Sequence, residues 1–219
     1  MSAAPRKLTL KTPHLGLFVA RRNSGKTTLM RHLLYTLARG QKFRWVTVIS
    51  PTAFNGEWTS IVGDQSVLPT FDEDYIADLM EEQAGLRDSG TDNPGLLILD
   101  DCLGAANFQS EVFTRLASAG RHYQISLWIS TQHFFKLPPV LRTNADYMFV
   151  LGVQNERVAR ALWEEFGGLS FDTWKALQAF AATATRDFGA LCVNNTDARS
   201  PVTVVRAPSK QPAFKIRQG

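Results

Sequence analysis

The sequence has few cysteines and no long uncharged apolar run, and both shortages exclude broad classes of protein. Its 219 residues include two cysteines, Cys102 and Cys192, which are too few for a disulfide framework. No stretch approaches the ~18 apolar residues that a membrane-spanning helix needs. The first residues, MSAAPRKLTLKTPHLG, lack the apolar block of a secretory signal. We therefore expect a protein with no membrane span that is not secreted and works in a reducing compartment.

The formal net charge of +4 is concentrated at the two ends of the chain. Residues 1–11 and 207–219 contain six basic residues and no acidic one, namely Arg6, Lys7, Lys11, Lys210, Lys215 and Arg217. Removing those six leaves 18 basic residues against all 20 acidic ones, a net charge of −2. The ends act either as solubilising tails or as arms that contact phosphates. We predict a basic N-terminal arm over 1–12, one domain over 13–206 and a basic C-terminal tail over 207–219.

Short apolar runs alternate with amphipathic stretches along most of the chain. Strands are predicted over 15–20, 44–50, 95–100, 124–130, 146–152, 189–195 and 201–207. Helices are predicted over 26–39, 71–87, 111–120, 155–167 and 171–181. Strands separated by helices indicate an α/β fold with a mostly parallel sheet and helices on both faces. The last two predicted strands are close enough in sequence to form an antiparallel hairpin at one edge.

The clearest chemical signal is a phosphate-binding loop between the first strand and the first helix. VARRNSGKTT matches the P-loop pattern G-x-x-x-x-G-K-[ST], except that Ala20 replaces the first glycine. Backbone N–H groups and the helix N-terminus would hold the phosphates, Lys26 would reach the β and γ oxygens, and Thr27 would ligate Mg²⁺. The predicted nucleotide-binding residues are Ala20, Arg21, Arg22, Asn23, Ser24, Gly25, Lys26, Thr27 and Thr28.

A second signal is the apolar strand LLILDD, which ends in Asp100 and Asp101. A carboxylate at the carboxyl end of a buried strand points into the crevice where α/β sheets bind ligands. We expect Asp100 to bind the Mg²⁺ shell and Asp101 to act as the base that orients or deprotonates the attacking water. Many motors have a glutamate in place of Asp101.

A third signal is the strand ISLWISTQ, which ends beside the paired aspartates in the predicted sheet. Its last residue, Gln132, carries an amide that can bond both the γ-phosphate and the attacking water. We predict that Gln132 senses whether the γ-phosphate is present.

With these motifs in this order, the chain resembles the FtsK–HerA superfamily of ring-forming P-loop motors. It is most similar to the compact viral genome-packaging ATPases of the poxvirus type. The resemblance spans roughly residues 13–152 and is carried by ARRNSGKTT, LLILDD, AGRHYQISLWISTQ and LPPVLRTNADYMFVL. The first two motifs occur in P-loop proteins generally, whereas the last two are more particular to this superfamily.

The resemblance implies a ring of five or six copies that hydrolyses ATP with Mg²⁺ and moves double-stranded DNA, for viral members into a capsid. It also implies a capsid vertex or portal protein as a partner, and a place of action in the virion or the host cell interior. Members carry an arginine that reaches the neighbouring subunit's ATP. Arg121, in the step Gly120-Arg121-His122, is the first choice for that arginine, and Arg142 is the second.

Two alternatives stay open from the sequence. A small P-loop phosphotransferase, such as a nucleoside or nucleotide kinase, would also need Lys26 and a nearby aspartate. It should have an arginine-rich lid and a base-binding cleft, whereas paired aspartates followed by a sensor glutamine suit attack by water. A helicase-like ATPase of replication would share every motif described above.

Overall fold

A single sheet organises the chain in the computed structural model, which describes residues 8–104, 107–153, 155–166, 170–197 and 202–216. The strands in these residues are β1 (Leu15–Ala20), β2 (Trp45–Ile49), β3 (Val67–Leu68), β4 (Gly95–Asp100), β5 (Ile125–Thr131), β6 (Tyr147–Leu151), β7 (Gly189–Asn194) and β8 (Val202–Arg206). The helices are α1 (Lys26–Arg39), α2 (Thr59–Val62), α3 (Glu73–Asp88), α4 (Glu111–Ala119), α5 (Pro139–Asn144), α6 (Glu156–Glu165) and α7 (Trp174–Ala184).

The strand order across the sheet is β3-β2-β4-β5-β1-β6-β7-β8. The first six strands in this order, from β3 across to β6, are parallel to one another. Strand β7 is antiparallel to both of its neighbours, β6 and β8. The predicted P-loop NTPase-like α/β fold is therefore confirmed, including the antiparallel hairpin at one edge. The order places β1 between β5 and β6, so the loop after β1 opens beside the ends of β4 and β5.

Side chains alternate between two apolar layers along the central strands, as the period of two in a strand requires. Leu97 and Leu99 of β4 pack in one cluster with residues of α3 to α7. Leu96 and Ile98 pack in the other cluster with residues of α1 and α2. The predicted layers of helices on both faces follow from this alternation. No helix in the described part of the chain combines the length and the apolarity that crossing a bilayer requires.

Four short or displaced elements differ from the sequence prediction. Helix α7 begins at Trp174 rather than at 171, because the Thr173 hydroxyl caps it by accepting from the Ala176 N–H at 3.2 Å. The elements α2, β3 and α5 were not predicted, since two to six residues are too few to show a periodicity.

The described parts of both chain ends pack against the layer that contains α1. Leu10 is buried there, and Phe214 and Ile216 are partly buried against the same cluster. The Ile216 N–H donates to the Ile61 carbonyl at 2.8 Å. Residues 1–7 and 217–219, which include Arg6, Lys7 and Arg217, lie outside the described residues. The division into arm, domain and tail stays a prediction.

Candidate nucleotide-binding site

The loop from β1 to α1 has the backbone shape that a phosphate cradle needs. Asn23 and Gly25 both have a left-handed backbone, with φ of 58° and 86°. A Cβ at Gly25 would lie 3.0 Å from Cδ1 of Phe188, so both the φ angle and the neighbour favour glycine. Gly25 is the N-cap of α1 and supplies no side-chain cap. The N–H groups of the first turn are therefore available to an anion.

Ala20, which replaces the usual first glycine of the motif, causes no strain. It is the buried last residue of β1 and pairs with Leu151 of β6 in extended conformation. A glycine would gain nothing here, because the position does not need a positive φ.

Lys26 and the paired aspartates meet at one point, as the sequence predicts. The Lys26 Nζ donates to Asp101 Oδ1 at 2.5 Å and lies 3.6 Å from Asp100 Oδ1. Asp100 ends β4 and is buried, whereas Asp101 follows it with a left-handed φ of 57°. That backbone turn separates the two carboxylates, so one lies at the strand end and the other is directed to Lys26.

Both carboxylate oxygens of Asp100 have partners that the sequence did not reveal. The Trp58 indole N–H donates to Oδ2 at 2.9 Å, and the Ser130 hydroxyl donates to Oδ1. The same Ser130 oxygen accepts from the Asp101 N–H at 3.0 Å. Trp58 is buried as a core residue would be, but no spacing in the sequence connects it to Asp100, 42 positions later.

A pocket of about 460 Å³ joins the motifs. Gln132, the residue after β5, lines it together with the phosphate loop and both aspartates. The complete lining is Arg21, Arg22, Asn23, Ser24, Gly25, Lys26, Thr27, Thr28, Thr52, Asn55, Glu57, Asp100, Asp101, Gln132 and Phe188. Of the predicted site residues, all except Ala20, Arg121 and Arg142 line this pocket.

Phe188 is an aromatic wall of the pocket that the sequence did not indicate. Asp187 and Phe188 both have left-handed backbones, with φ of 52° and 59°, in a tight turn closed by the Gly189 N–H on the Arg186 carbonyl. The Phe188 side chain is 66% exposed and lies against Gly25. A bulky residue in this conformation is uncommon, and such strain concentrates at ligand sites.

The two arginines predicted to act on a neighbour lie outside the pocket and have partners in their own chain. Arg121 precedes β5, at the opposite end of the sheet from the pocket, and donates to Asp146 Oδ1 at 3.2 Å. Arg142 donates to Glu165 Oε2 at 2.9 Å and to the Leu137 carbonyl at 2.6 Å. Their proposed action on a neighbouring subunit stays a prediction.

Cys102 follows the aspartates but is not a nucleophile. Burial, reinforced by the charges of Asp100 and Asp101, raises the pKa of its thiol to about 12. The protonated Sγ donates to the Ile49 carbonyl at 3.1 Å. Cys102 therefore packs under the site as a small apolar residue.

The oxygens in the pocket fit a magnesium ion. The Thr27 hydroxyl and the Asp100 carboxylate line the same pocket and are hard donors of the kind that Mg²⁺ prefers. The described residues hold no cluster of three or more histidine, cysteine or acidic side chains that could form a complete metal cage. Mg²⁺ normally keeps waters and takes substrate phosphates as its other ligands, so Thr27 and Asp100 would be enough to place it.

Comparison with known proteins agrees with this geometry. Residues 5–165 match the family model described as Poxvirus A32 protein. The chain belongs to the poxvirus A32 family. This match covers the phosphate loop, the paired aspartates and Gln132, and it confirms the poxvirus-type resemblance that the motifs indicate.

Relatives of this A32-family chain are found among viral proteins. Protein 075L of Invertebrate iridescent virus 6 is 27% identical over 180 residues, which cover 81% of this chain and 69% of the relative. Protein L437 of Acanthamoeba polyphaga mimivirus is 25% identical over 191 residues, which cover 82% of this chain and 66% of the relative.

Solved structures share the fold at low sequence identity. The genome packaging NTPase B204 from Sulfolobus turreted icosahedral virus 2, in complex with AMPPCP, superposes with a TM-score of 0.63 at 17% identity, covering 91% of this chain and all of B204. The pCW3 conjugation coupling protein TcpA, with ATPγS, gives a TM-score of 0.61 at 14% identity, covering 90% of this chain and 60% of TcpA.

Proposed function

We propose that this chain is an ATP-hydrolysing motor that translocates double-stranded DNA to package a viral genome into a capsid. The observation that carries the proposal is the contact of Lys26 with the paired aspartates in one pocket, at 2.5 Å to Asp101 and 3.6 Å to Asp100. Membership of the poxvirus A32 family and the shared fold of the packaging NTPase B204 support it.

Some groups of this chain bind the nucleotide, and others act on the attacking water during hydrolysis. N–H groups of the phosphate loop and Lys26 bind the β and γ phosphates, where the positive end of α1 adds to the attraction. Thr27 and Asp100 would hold a Mg²⁺ ion, which would neutralise phosphate charge.

Asp101 and Gln132 then act on the attacking water. When Lys26 moves from Asp101 to the phosphates, the Asp101 carboxylate is released to accept a proton from water. Gln132 contacts the γ-phosphate from the end of β5, so its bonding partners change once that phosphate leaves.

The arginine that completes the site comes from a second copy in a ring of five or six. Arg121 is the first candidate and Arg142 the second. Arg121 suits this role better, because its side chain is half exposed, whereas Arg142 is held by two partners in its own chain. Such an arginine is worth about 10³ to 10⁵ in rate.

Mixing variants tests the shared site. Lys26→Ala subunits keep Arg121 but lack a working phosphate loop, and Arg121→Ala subunits have the reverse defect. Mixed rings regain ATP hydrolysis if Arg121 acts on a neighbour. If every mixture shows only the summed activity of the two separate variants, Arg121 does not act on a neighbour. The same mixing test is then made with Arg142→Ala.

The further partners follow from the packaging proposal. Double-stranded DNA is the cargo, a capsid vertex or portal protein is the docking partner, and the virion or the host cell interior is the place of action. The basic chain ends are additional candidates for DNA contact.

Phosphate release from ATP, measured with and without duplex DNA, tests the motor function. We expect hydrolysis that duplex DNA stimulates and that Lys26→Ala abolishes. A protein that transfers the γ-phosphate to a nucleoside and ignores DNA would be a kinase, and strand separation without movement along intact duplex would indicate a helicase-like ATPase.

A further inference from the structure

A second pocket, of about 590 Å³, lies beside the nucleotide pocket and shares Arg21, Arg22 and Gln132 with it. The carboxyl ends of β1, β5 and β6 and the start of α6 form its walls. We call it the basic groove, after four cationic residues in its lining, Arg21, Arg22, Lys136 and Arg157.

The charged residues that line the basic groove are all positive. Its lining contains no aspartate or glutamate. Arg22, Lys136 and Arg157 are exposed, and within the described residues none of these three forms an ion pair. The chain without its basic ends has a net charge of −2, so this concentration of positive charge is local.

An aromatic side chain extends the same surface. Phe135 is 42% exposed, and the Arg157 guanidinium lies over its ring at 4.3 Å from the centroid. Stacking on the ring holds the guanidinium in place without neutralising it. An arginine held in this way is preorganised for an external anion, because little side-chain freedom is lost when the anion binds.

The basic groove is connected to the nucleotide site through a short, well-anchored segment. Gln132 is followed by His133 and then by the turn Phe134–Lys136, in which Phe134 is buried in the core. The His133 N–H donates to Thr131 Oγ1 at 2.9 Å, and the Lys136 N–H donates to the His133 carbonyl at 3.1 Å. A ligand on Lys136 therefore acts on a segment that begins at Gln132.

We infer that the basic groove binds the phosphate backbone of duplex DNA and couples this binding to hydrolysis through Gln132. The inference rests on the proposed function, which supplies DNA as the partner. A lining that contains cations and no carboxylate suits a polyanion, because each neutralised phosphate releases condensed counterions. The alternative occupant, an acidic surface of a neighbouring subunit, is separated from DNA by the experiment below.

The double variant Lys136→Ala/Arg157→Ala tests the basic groove, because neither residue lines the nucleotide pocket. We expect ATP hydrolysis without DNA to stay within twofold of the wild type, and the stimulation by DNA to fall about tenfold or more. The slope of log affinity for duplex DNA against log salt concentration should decrease by about 2, since each lost phosphate contact removes about 0.9. Lys136→Arg should retain stimulation.

The matched control is Arg115→Ala/Lys175→Ala, which removes two exposed cations from α4 and α7, outside the basic groove. It should leave the stimulation by DNA and the salt dependence of DNA affinity unchanged.

The inference is overturned if DNA stimulates the groove variant normally. It is also overturned if the groove variant fails to assemble into a ring in the absence of DNA, because the groove would then be a subunit contact. Should the double variant not fold, Lys136→Ala alone gives the same readouts. A wild-type protein that neither hydrolyses ATP nor binds DNA would instead refute the proposed function.

Discussion

Polar side chains at the amino ends of the central strands are paired within the fold, whereas those at the carboxyl ends surround an open pocket. At the amino end, Asp146 Oδ2 accepts from the Leu15 N–H at 2.8 Å while its Oδ1 meets Arg121. His14 Nε2 accepts from the Trp128 indole at 2.7 Å, inside the core. At the carboxyl end, Lys26 lies between two carboxylates, and Asp101 has a left-handed backbone.

This comparison distinguishes polar groups that stabilise the fold, at the amino end, from polar groups that are positioned to bind a ligand, at the carboxyl end. Polar atoms at the amino end stabilise the register of β1, β5 and β6. The carboxyl end combines a positive φ, a close cluster of charges and an open pocket, as ligand-binding ends of parallel sheets do. Apart from Arg121, which is also proposed to act on a neighbouring subunit, substitutions should therefore change activity at the carboxyl end and stability at the amino end.

Of the two carboxyl-end substitutions considered below, Asp101→Asn should have the larger effect on activity. The amide cannot accept the proton of the attacking water, so we expect ATP turnover to fall by about 10²- to 10⁴-fold. Nucleotide affinity should persist, because the phosphate loop and Lys26 are unchanged and Lys26 loses only the negative charge of its partner. Phosphate release and binding of a fluorescent ATP analogue measure the two effects. The exposed Asp172→Asn is the control, and normal turnover in Asp101→Asn would refute the base assignment.

His14 should make the amino end sensitive to pH. Burial lowers its pKa to about 4 from 6.5, so the unfolded chain takes up a proton at a higher pH than the folded protein does. The free energy of unfolding should therefore fall as the pH decreases from 6.5 to 4, by roughly 3 kcal/mol from this group.

Denaturant unfolding across that pH range checks the contribution of His14. In His14→Gln, the loss of stability between pH 6.5 and 4 should be smaller than in the wild type. The exposed His122→Gln should behave as the wild type. Equal pH dependence in all three proteins would show that His14 does not produce it.

A smaller effect on activity is expected from Trp58→Phe. Phenylalanine fills most of the buried space but cannot donate to Asp100 Oδ2, which Trp58 does at 2.9 Å. Partners that orient a metal ligand are worth 10- to 100-fold in affinity, so the Mg²⁺ concentration for half-maximal hydrolysis should rise about tenfold. Trp163→Phe removes an indole bond to the Phe171 carbonyl, away from the pocket, and should not change the Mg²⁺ requirement.

The smallest effect on stability should come from Arg121→Ala. Its partner Asp146 keeps the Leu15 N–H, and the arginine side chain is half exposed, so the ion pair should contribute less than about 1 kcal/mol. Asp146→Ala should cost more, because the buried Leu15 N–H then lacks its acceptor. Urea unfolding of both variants compares them. A larger loss in Arg121→Ala than in Asp146→Ala would contradict this reading of the amino end.

Much of the nucleotide pocket could be predicted because its motifs are local. The phosphate-loop motif is ten consecutive residues that span the end of β1 and the start of α1, and Asp100, Asp101 and Gln132 each mark the end of an apolar strand. Parallel strands bring such ends to one edge. Trp58 and Phe188 escaped prediction, because a buried indole and an exposed ring look like any other aromatic residue until the chain is folded.

The sequence by itself determined the class of fold, the phosphate loop and the acidic strand end, because each depends on the periodicity and chemistry of adjacent residues. Only the tertiary structure decided that Trp58 and Ser130 orient Asp100, that Phe188 contacts Gly25, and that Arg121 lies at the far end of the sheet beside Asp146. These contacts join residues from 25 to 163 positions apart in sequence, and a pair of that separation meets only when the strand order of the sheet brings it together.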